Sequence, residues 1–447
     1  MAKPPKSLFI CTNCDAQFQK WTGRCLECGA WGSVQEEAAP VITSAPSAQT
    51  TATLHPALTL AKLSHITGKS TPRRPTTITE LDRVLGGGIV TGSFILLAGE
   101  PGIGKSTLAI QLAAIVPNTL YVSGEESVEQ IKLRADRLGI MSNTLSLANA
   151  MHTESVVATI VKEKPTLCVV DSVQTLVCTD IPSEAGSPSQ VRASATKLME
   201  AAKSTGTTVV LIGHVTKDGT VAGPKTLEHL VDVVLQLEGD RNRDIRLLRT
   251  PKNRFGSTDE VGMFTMEKAG LMALGNPSKL LLEERGEHVS GSIMTCLMEG
   301  TRPVLVELQA LVNKTSFGYP VRKSSGFDLN RLHVLIAVLE RRVGLKLSEF
   351  DVHINVVGGI KAEEPAADLA VCLAIASAYK DKAVGADVVA FGEVGLGGEI
   401  RSARFSEKRI KECESLGMKT VYASKQKKLP NGTLLVKSAG SLSELIA

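Results

Sequence analysis

The 447-residue sequence predicts a multi-domain α/β chain: a cysteine-rich N-terminal ribbon, a core with a twisted, mostly parallel sheet, and a C-terminal α+β domain. Three observations carry this expectation. An apolar run, Phe94-Ile-Leu-Leu-Ala98, breaks into Gly99-Glu-Pro-Gly-Ile-Gly-Lys-Ser-Thr107 and continues as a helix-like stretch to Val116. Further apolar runs, Thr119-Leu-Tyr-Val-Ser123, Thr166-Leu-Cys-Val-Val-Asp171 and Thr207-Thr-Val-Val-Leu-Ile-Gly213, alternate with helical patterns, as in a parallel sheet buried on both faces. Beyond about residue 270 the pattern changes to strand-like runs, 291–298 and 302–312, followed by a helix-like run from Asp328, its N-cap, to Gly344.

Composition sets the outer limits. Lys+Arg 50 against Asp+Glu 46 leaves only +4, too mild to announce nucleic acid, so any basic surface must be local. No charged segment leads into an apolar signal core, and no uncharged run approaches the roughly 18 residues a membrane span needs. A cytoplasmic location without membrane contact is expected. Of nine cysteines, four fall within the first 28 residues and the rest sit in apolar contexts such as Leu167-Cys-Val-Val170, which reads as reduced core thiols.

The first four cysteines form two Cys-x-x-Cys knuckles, Cys11/Cys14 and Cys25/Cys28, ten residues apart. Each knuckle presents two thiolates from one tight turn, and a pair closes a tetrahedral site with no open position, the pattern of structural Zn²⁺. A redox pair or rubredoxin-like iron shares the spacing, but no thioredoxin-like βαβ frame surrounds it. Residues 1–34 are expected to fold on the metal, with Phe18, Trp21 and Trp31 as a minimal apolar core. Residues 35–75 read as a flexible linker, because 38–61 hold no charged side chain and are rich in Ala, Thr, Ser and Pro.

The glycine-rich segment carries the chemistry. Glycines free backbone N–H groups to turn toward a polyphosphate, the helix N-terminus adds positive dipole, and Lys105 supplies a mobile cation. Gly99, Glu100, Pro101, Gly102, Ile103, Gly104, Lys105, Ser106 and Thr107 are therefore the expected ATP-holding residues, with Ser106 on Mg²⁺. Asp171, an acid ending a fully apolar strand, is the expected second Mg²⁺ holder. Glu125 follows the 119–123 strand, and a carboxylate at the C-terminal edge of the strand next to a phosphate loop can orient and deprotonate the attacking water. A capping role for Glu125 and Glu126 stays open.

The entry to this loop, Leu81-Asp82 then Leu85-Gly-Gly-Gly88 and Gly92, resembles RecA/KaiC-type ATPase cores. With the cysteine knuckles before it, the chain resembles the RadA (Sms) family of bacterial recombination proteins over nearly its whole length. That resemblance implies residues 76–270 as a RecA-like ATPase domain, with Glu125 as the water-orienting acid and His214 or Thr216 sensing the γ-phosphate. It implies that Lys252-Asn-Arg254-Phe-Gly256 reaches across a subunit boundary, Arg254 acting on the neighbour's γ-phosphate with Lys252 assisting. That in turn implies a ring, expected as a hexamer. Loops 179–190 and 217–225 would line its channel, with Lys217, Lys225 and Arg192 on phosphates of single-stranded DNA; both loops read equally well as solvated surface segments. The implied task is helicase-type branch migration of recombination intermediates on single-stranded and branched DNA, alongside the RecA recombinase. An ATP-switched, KaiC-like interaction scaffold without motor activity is the alternative.

Residues 271–447 resemble the proteolytic domain of Lon through Phe350-Asp-Val-His-Ile-Asn-Val-Val-Gly-Gly359, residues 366–377, and Gly392-Glu-Val-Gly-Leu-Gly-Gly-Glu-Ile400. The resemblance raises protease activity and the residues decide against it. Where the family carries Pro-Ser-Ala-Gly, this chain reads Pro365-Ala366-Ala367-Asp368, so no hydroxyl can form an acyl-enzyme. The partner lysine falls at or beside Arg409, whose guanidinium stays protonated. Arg322, Lys323, Arg331, Arg341 and Arg342 are candidates for a DNA-facing surface or for a solvated charged face.

Overall fold

The computed structural model describes residues 8–11, 17–18, 20–25, 30–37, 72–214, 227–239, 245–283, 289–316, 318–425 and 434–446. Cys14, Cys28, Lys217, Lys225, Thr216 and nearly all of the expected linker lie outside them, as does the side chain of His214. Among the described residues no helix is long and apolar enough to cross a membrane.

At the N-terminus, Leu8–Cys11 pairs antiparallel with both Gln17–Phe18 and Val34–Glu37. Cys11, Cys25 and Val34 form the buried cluster, with Phe9 against it. The expected tryptophan core is not there: Trp21 and Trp31 are 62% and 78% exposed. Trp21 instead donates its indole N–H to the Val34 carbonyl at 3.1 Å, and Arg24 lies over the Trp31 ring. So small a ribbon has too little interior for an indole, which leaves the metal-ligand positions to organise it.

The central sheet has nine strands in the order Gly270–Ala273, Val261–Glu267, Ile245–Asn253, Val233–Glu238, Phe94–Gly99, Thr208–His214, Leu167–Asp171, Thr119–Ser123, Leu145–Asn149. Six are parallel, and the last three in sequence add an antiparallel edge. Phe94–Gly99 is buried throughout because both faces are covered. Phe94, Leu96 and Ala98 pack into one core and Ile95 and Leu97 into the other, following the two-residue period of a strand. The Thr119–Ser123 strand is not beside the phosphate-loop strand as expected. Thr208–His214 and Leu167–Asp171 stand between them, so Thr119–Ser123 neighbours Asp171 instead.

A second sheet of seven strands runs Arg322–Ser325, Phe350–Val356, Arg302–Lys314, Ser292–Glu299, Val388–Ala390, Thr420–Ser424, Leu435–Ala439. Helices Leu329–Val338 and Asp368–Lys380 build the core on one face, and Ser406–Ser415 packs into a second cluster with Cys296 and Phe391. Asp328 caps its helix by accepting the Arg331 N–H at 2.7 Å, and a π-turn, Leu339–Val343, carries the chain to Gly344 at φ 83°. Two of the five basic residues expected to form a surface are structural instead. Arg331 pairs with buried Asp368, and Arg322 donates to the carbonyls of Leu347 and Phe350; Lys323, Arg341 and Arg342 remain exposed.

Ala366 is buried, and two residues before it Glu364 takes a bidentate pair from Arg409 at 2.6 and 2.7 Å. Arg409 is 1% exposed and also donates to the carbonyls of Arg404 and Cys296. The guanidinium therefore serves as a fixed bracket in the sheet. Ion pairs tie the second sheet to the ATPase core: Arg302 to Glu80 of helix Thr79–Leu85 at 2.8 Å, and Glu299 to Arg249, which also pairs with Glu238 of its own sheet. A cleft of about 880 Å³ runs between them, from Gly99 and Glu100 on one side to Glu299 and Glu364 on the other.

Candidate nucleotide site

The loop at the end of the Phe94–Gly99 strand needs glycine where it turns. Gly104, at φ 116°, is the N-cap of helix Lys105–Ile115, and a side chain at Gly99 would meet the Leu237 carbonyl at 2.6 Å. No side chain caps this helix, so its first amides point into the loop without a competing acceptor from a cap. Lys105 is buried and folds back, donating to the carbonyls of Gly99 and Glu100 at 2.9 Å each. Burial lowers its pKa to about 8, against the raising pull of Asp171 and Glu125. A cation cradled by carbonyls, beside uncapped amides and two carboxylates, is the donor set that fits a nucleotide triphosphate with Mg²⁺.

Asp171 ends its strand 7% exposed, and Tyr121 donates its hydroxyl to Asp171 Oδ2 at 2.6 Å. Ser172, the next residue, donates to Glu125 Oε1 at 2.5 Å. Glu125 sits at the same sheet edge because Ser123 pairs with Asp171 in register and the Gly124 N–H donates to the Asp171 carbonyl. Glu126 turns away to Arg134, and Ser127 caps helix Val128–Arg137 in a capping box with Gln130. Capping is thus Ser127's role, and Glu125 stays at the sheet edge with Asp171. The His214 backbone pairs with Gly99, at the mouth of the loop. Sequence reasoning missed Tyr121 and Ser172, which read there as one more strand aromatic and one more loop hydroxyl.

Other expected site residues lie elsewhere. Arg192 is exposed on helix Pro188–Thr205. The 179–190 segment is tied down by Gln190, whose buried amide donates to the carbonyls of Cys178, Ile181 and Ser183. Arg254 and Lys252 stand at the opposite edge of the sheet from the phosphate loop. The Arg254 N–H donates to the Asp232 carbonyl, and the Asp232 carboxylate in turn accepts the N–H of Phe94, the first residue of the loop's strand. Five residue steps of strand separate that end from Gly99, about 17 Å. Arg254 is 58% exposed there, 3.5 Å from Asp232, and Lys252 donates to the Glu228 carbonyl.

Comparison with known proteins agrees with this layout. Residues 61–220 match a family model described as an AAA domain, and residues 9–36 match one described as a rubredoxin metal binding domain. A DNA repair protein RadA of Bacillus subtilis is 48% identical over 94% of this chain and 92% of its own length. The chain belongs to the RadA family. Relatives of the same description from Halalkalibacterium halodurans and Listeria monocytogenes are 45% and 44% identical, over 94% and 95% of the chain and 93% of each relative. As a RadA-family member with an AAA domain it is a DNA repair ATPase that uses ATP and Mg²⁺, and its ribbon carries zinc. Cys11 and Cys25, one from each knuckle, lie in one buried cluster, which fits a shared metal.

Proposed function

We propose that the chain works as a ring-shaped motor, a hexamer in the cytoplasm, that moves along single-stranded and branched DNA and promotes branch migration together with RecA. The observation that carries this reading is the position of Arg254. It stands about 17 Å of strand away from its own phosphate loop, so it can serve a γ-phosphate only in a neighbouring copy. A scaffold that merely binds ATP has no use for such a residue.

In this reading the Gly99 to Thr107 loop holds the nucleotide, Lys105 leaves its carbonyls for the β- and γ-phosphates, and Ser106 and Asp171 hold Mg²⁺. ATP and Mg²⁺, when bound, bring the phosphoryl bond and the charge that offsets it. Glu125 orients and takes the proton of the attacking water, and His214 reports the γ-phosphate to the neighbouring strand. Arg254 and Lys252 complete the site from the next subunit. Lys217, Lys225 and Arg192 contact DNA phosphates, and Cys11, Cys14, Cys25 and Cys28 hold zinc. The division lies close to the expected 1–34 for the zinc ribbon, 35–75 for the linker, 76–270 for the ATPase domain and 271–447 for the non-proteolytic α+β domain, with the ribbon extended to Glu37 because Val34–Glu37 pairs with Leu8–Cys11, and the ATPase domain extended to Arg73 and Ala273 because Arg73–Arg74 pairs with Ile89–Val90 and Gly270–Ala273 completes the central sheet.

The test is ATP hydrolysis by the full chain with and without single-stranded DNA, with Lys105→Ala as background, followed by displacement of a strand from a branched substrate. Stimulation by DNA and ATP-driven displacement are expected. Turnover indifferent to DNA, with zinc loaded, would overturn the motor reading in favour of the switched scaffold.

A further inference from the structure

The two carboxylates of the nucleotide site are each held by a hydroxyl that belongs to the other's strand. Tyr121 lies on Thr119–Ser123, in register with Val169, two residues before Asp171 on the same face of the neighbouring strand. Two residues of strand cover about 6.6 Å, close to the reach of a tyrosine side chain, so its hydroxyl arrives at Asp171 Oδ2 at 2.6 Å. Both residues are buried, so water does not compete for this hydrogen bond. The hydroxyl's bond to one carboxylate oxygen fixes the direction of the other.

In the reverse direction, Ser172 follows Asp171 and donates to Glu125 Oε1, beyond the end of Tyr121's strand. Ser172 is itself anchored: Thr175 donates to its carbonyl at 2.8 Å, and the 173–175 turn packs against Gly124 so closely that a Cβ there would lie 2.1 Å from Thr175 Oγ1. Glu125 is exposed, and a solvent-facing glutamate without such a tether samples several rotamers.

We infer that Tyr121 and Ser172 are positioning residues that cross-brace the site, Tyr121 aiming Asp171 and Ser172 aiming Glu125. The inference rests on the reading that Asp171 holds Mg²⁺ and Glu125 orients the water. It predicts separable effects. Tyr121→Phe keeps the ring and its packing but removes the bond to the metal-holding group. Ser172→Ala removes the bond to the water-orienting group and leaves Asp171 braced.

The experiment uses the full chain and two readouts: Mn²⁺ affinity in the presence of a non-hydrolysable ATP analogue, followed by electron paramagnetic resonance, and kcat for ATP at saturating metal. Tyr121→Phe is expected to weaken Mn²⁺ about tenfold, the lower end of what losing an outer hydrogen bond costs a metal site, with little change in kcat. Ser172→Ala is expected to lower kcat about tenfold with Mn²⁺ affinity unchanged, and Ser172→Thr to restore it. Asp171→Asn and Glu125→Gln are the benchmarks. If both hydroxyl variants move the same readout, or neither moves while the benchmarks do, the cross-brace is overturned and the roles of Asp171 and Glu125 stand. If Asp171→Asn leaves Mn²⁺ affinity unchanged, or Glu125→Gln leaves kcat unchanged, the underlying reading fails with it.

Discussion

Nucleotide affinity in this protein should fall with rising pH well below the range where an ordinary lysine titrates. Lys105 is 3% exposed, and burial brings its ammonium down to about 8 although Asp171 and Glu125 pull the other way. A polyphosphate needs the charged form. At about pH 9 some nine-tenths of the chains would carry a neutral Lys105, so affinity should be about tenfold weaker than at about pH 7, roughly 1.4 kcal/mol. Titration of a fluorescent ADP analogue at constant ionic strength reads the slope, and calorimetry in two buffers reads the accompanying proton uptake. Lys105→Arg keeps its charge throughout, so its affinity, whatever its size, should not change with pH over that interval. A flat profile for the native chain, or the same slope in Lys105→Arg, would refute the reasoning. Stability carries the opposite sign. Between about 8 and its ordinary 10.5, the unfolded chain holds a proton that the folded chain has released, so the nucleotide-free protein gains stability as pH rises through that window.

Other consequences are more direct. Lys105→Ala and Arg254→Ala chains, each inactive alone, should recover about a quarter of native ATPase activity when mixed and assembled, because a quarter of random interfaces pair an intact loop with an intact Arg254; no recovery would count against a shared site. Arg302→Met leaves Glu80 buried without its main partner and should lower stability to denaturant by about 3 kcal/mol, seen as an earlier urea transition. Cys25→Ser, or a strong chelator, should unfold the N-terminal ribbon, shifting Trp21 and Trp31 fluorescence, while ADP affinity of the core stays unchanged.

The parts of this protein that were legible in its sequence are those written in local patterns. A strand, a glycine turn and a helix are contiguous in the chain, so the phosphate loop and Asp171 could be placed from residue order alone. Strand order was not legible: two strands that meet only through long connections leave no trace in periodicity, and Thr119–Ser123 was therefore expected two places too close to the loop. The same limit hid Tyr121, whose function is a hydroxyl pointed at a residue fifty positions later. Trp21 and Trp31 misled for a different reason, since large aromatic side chains usually signal a core but a ribbon this thin cannot enclose them. Arg322 and Arg331 looked like surface charge because a sequence does not show which backbone carbonyls and carboxylates a long side chain will find.

The bracket formed by Arg409 also bears on which substitutions the C-terminal sheet can tolerate. A lysine in its place would leave Arg404, Cys296 and Glu364 competing for three donors on one flexible stem, where a rigid fork now serves four acceptor atoms. With one acceptor atom more than a lysine has donors, that exchange would leave a buried oxygen unpaired, so this corner of the sheet is closed to the very side chain most like the one it holds.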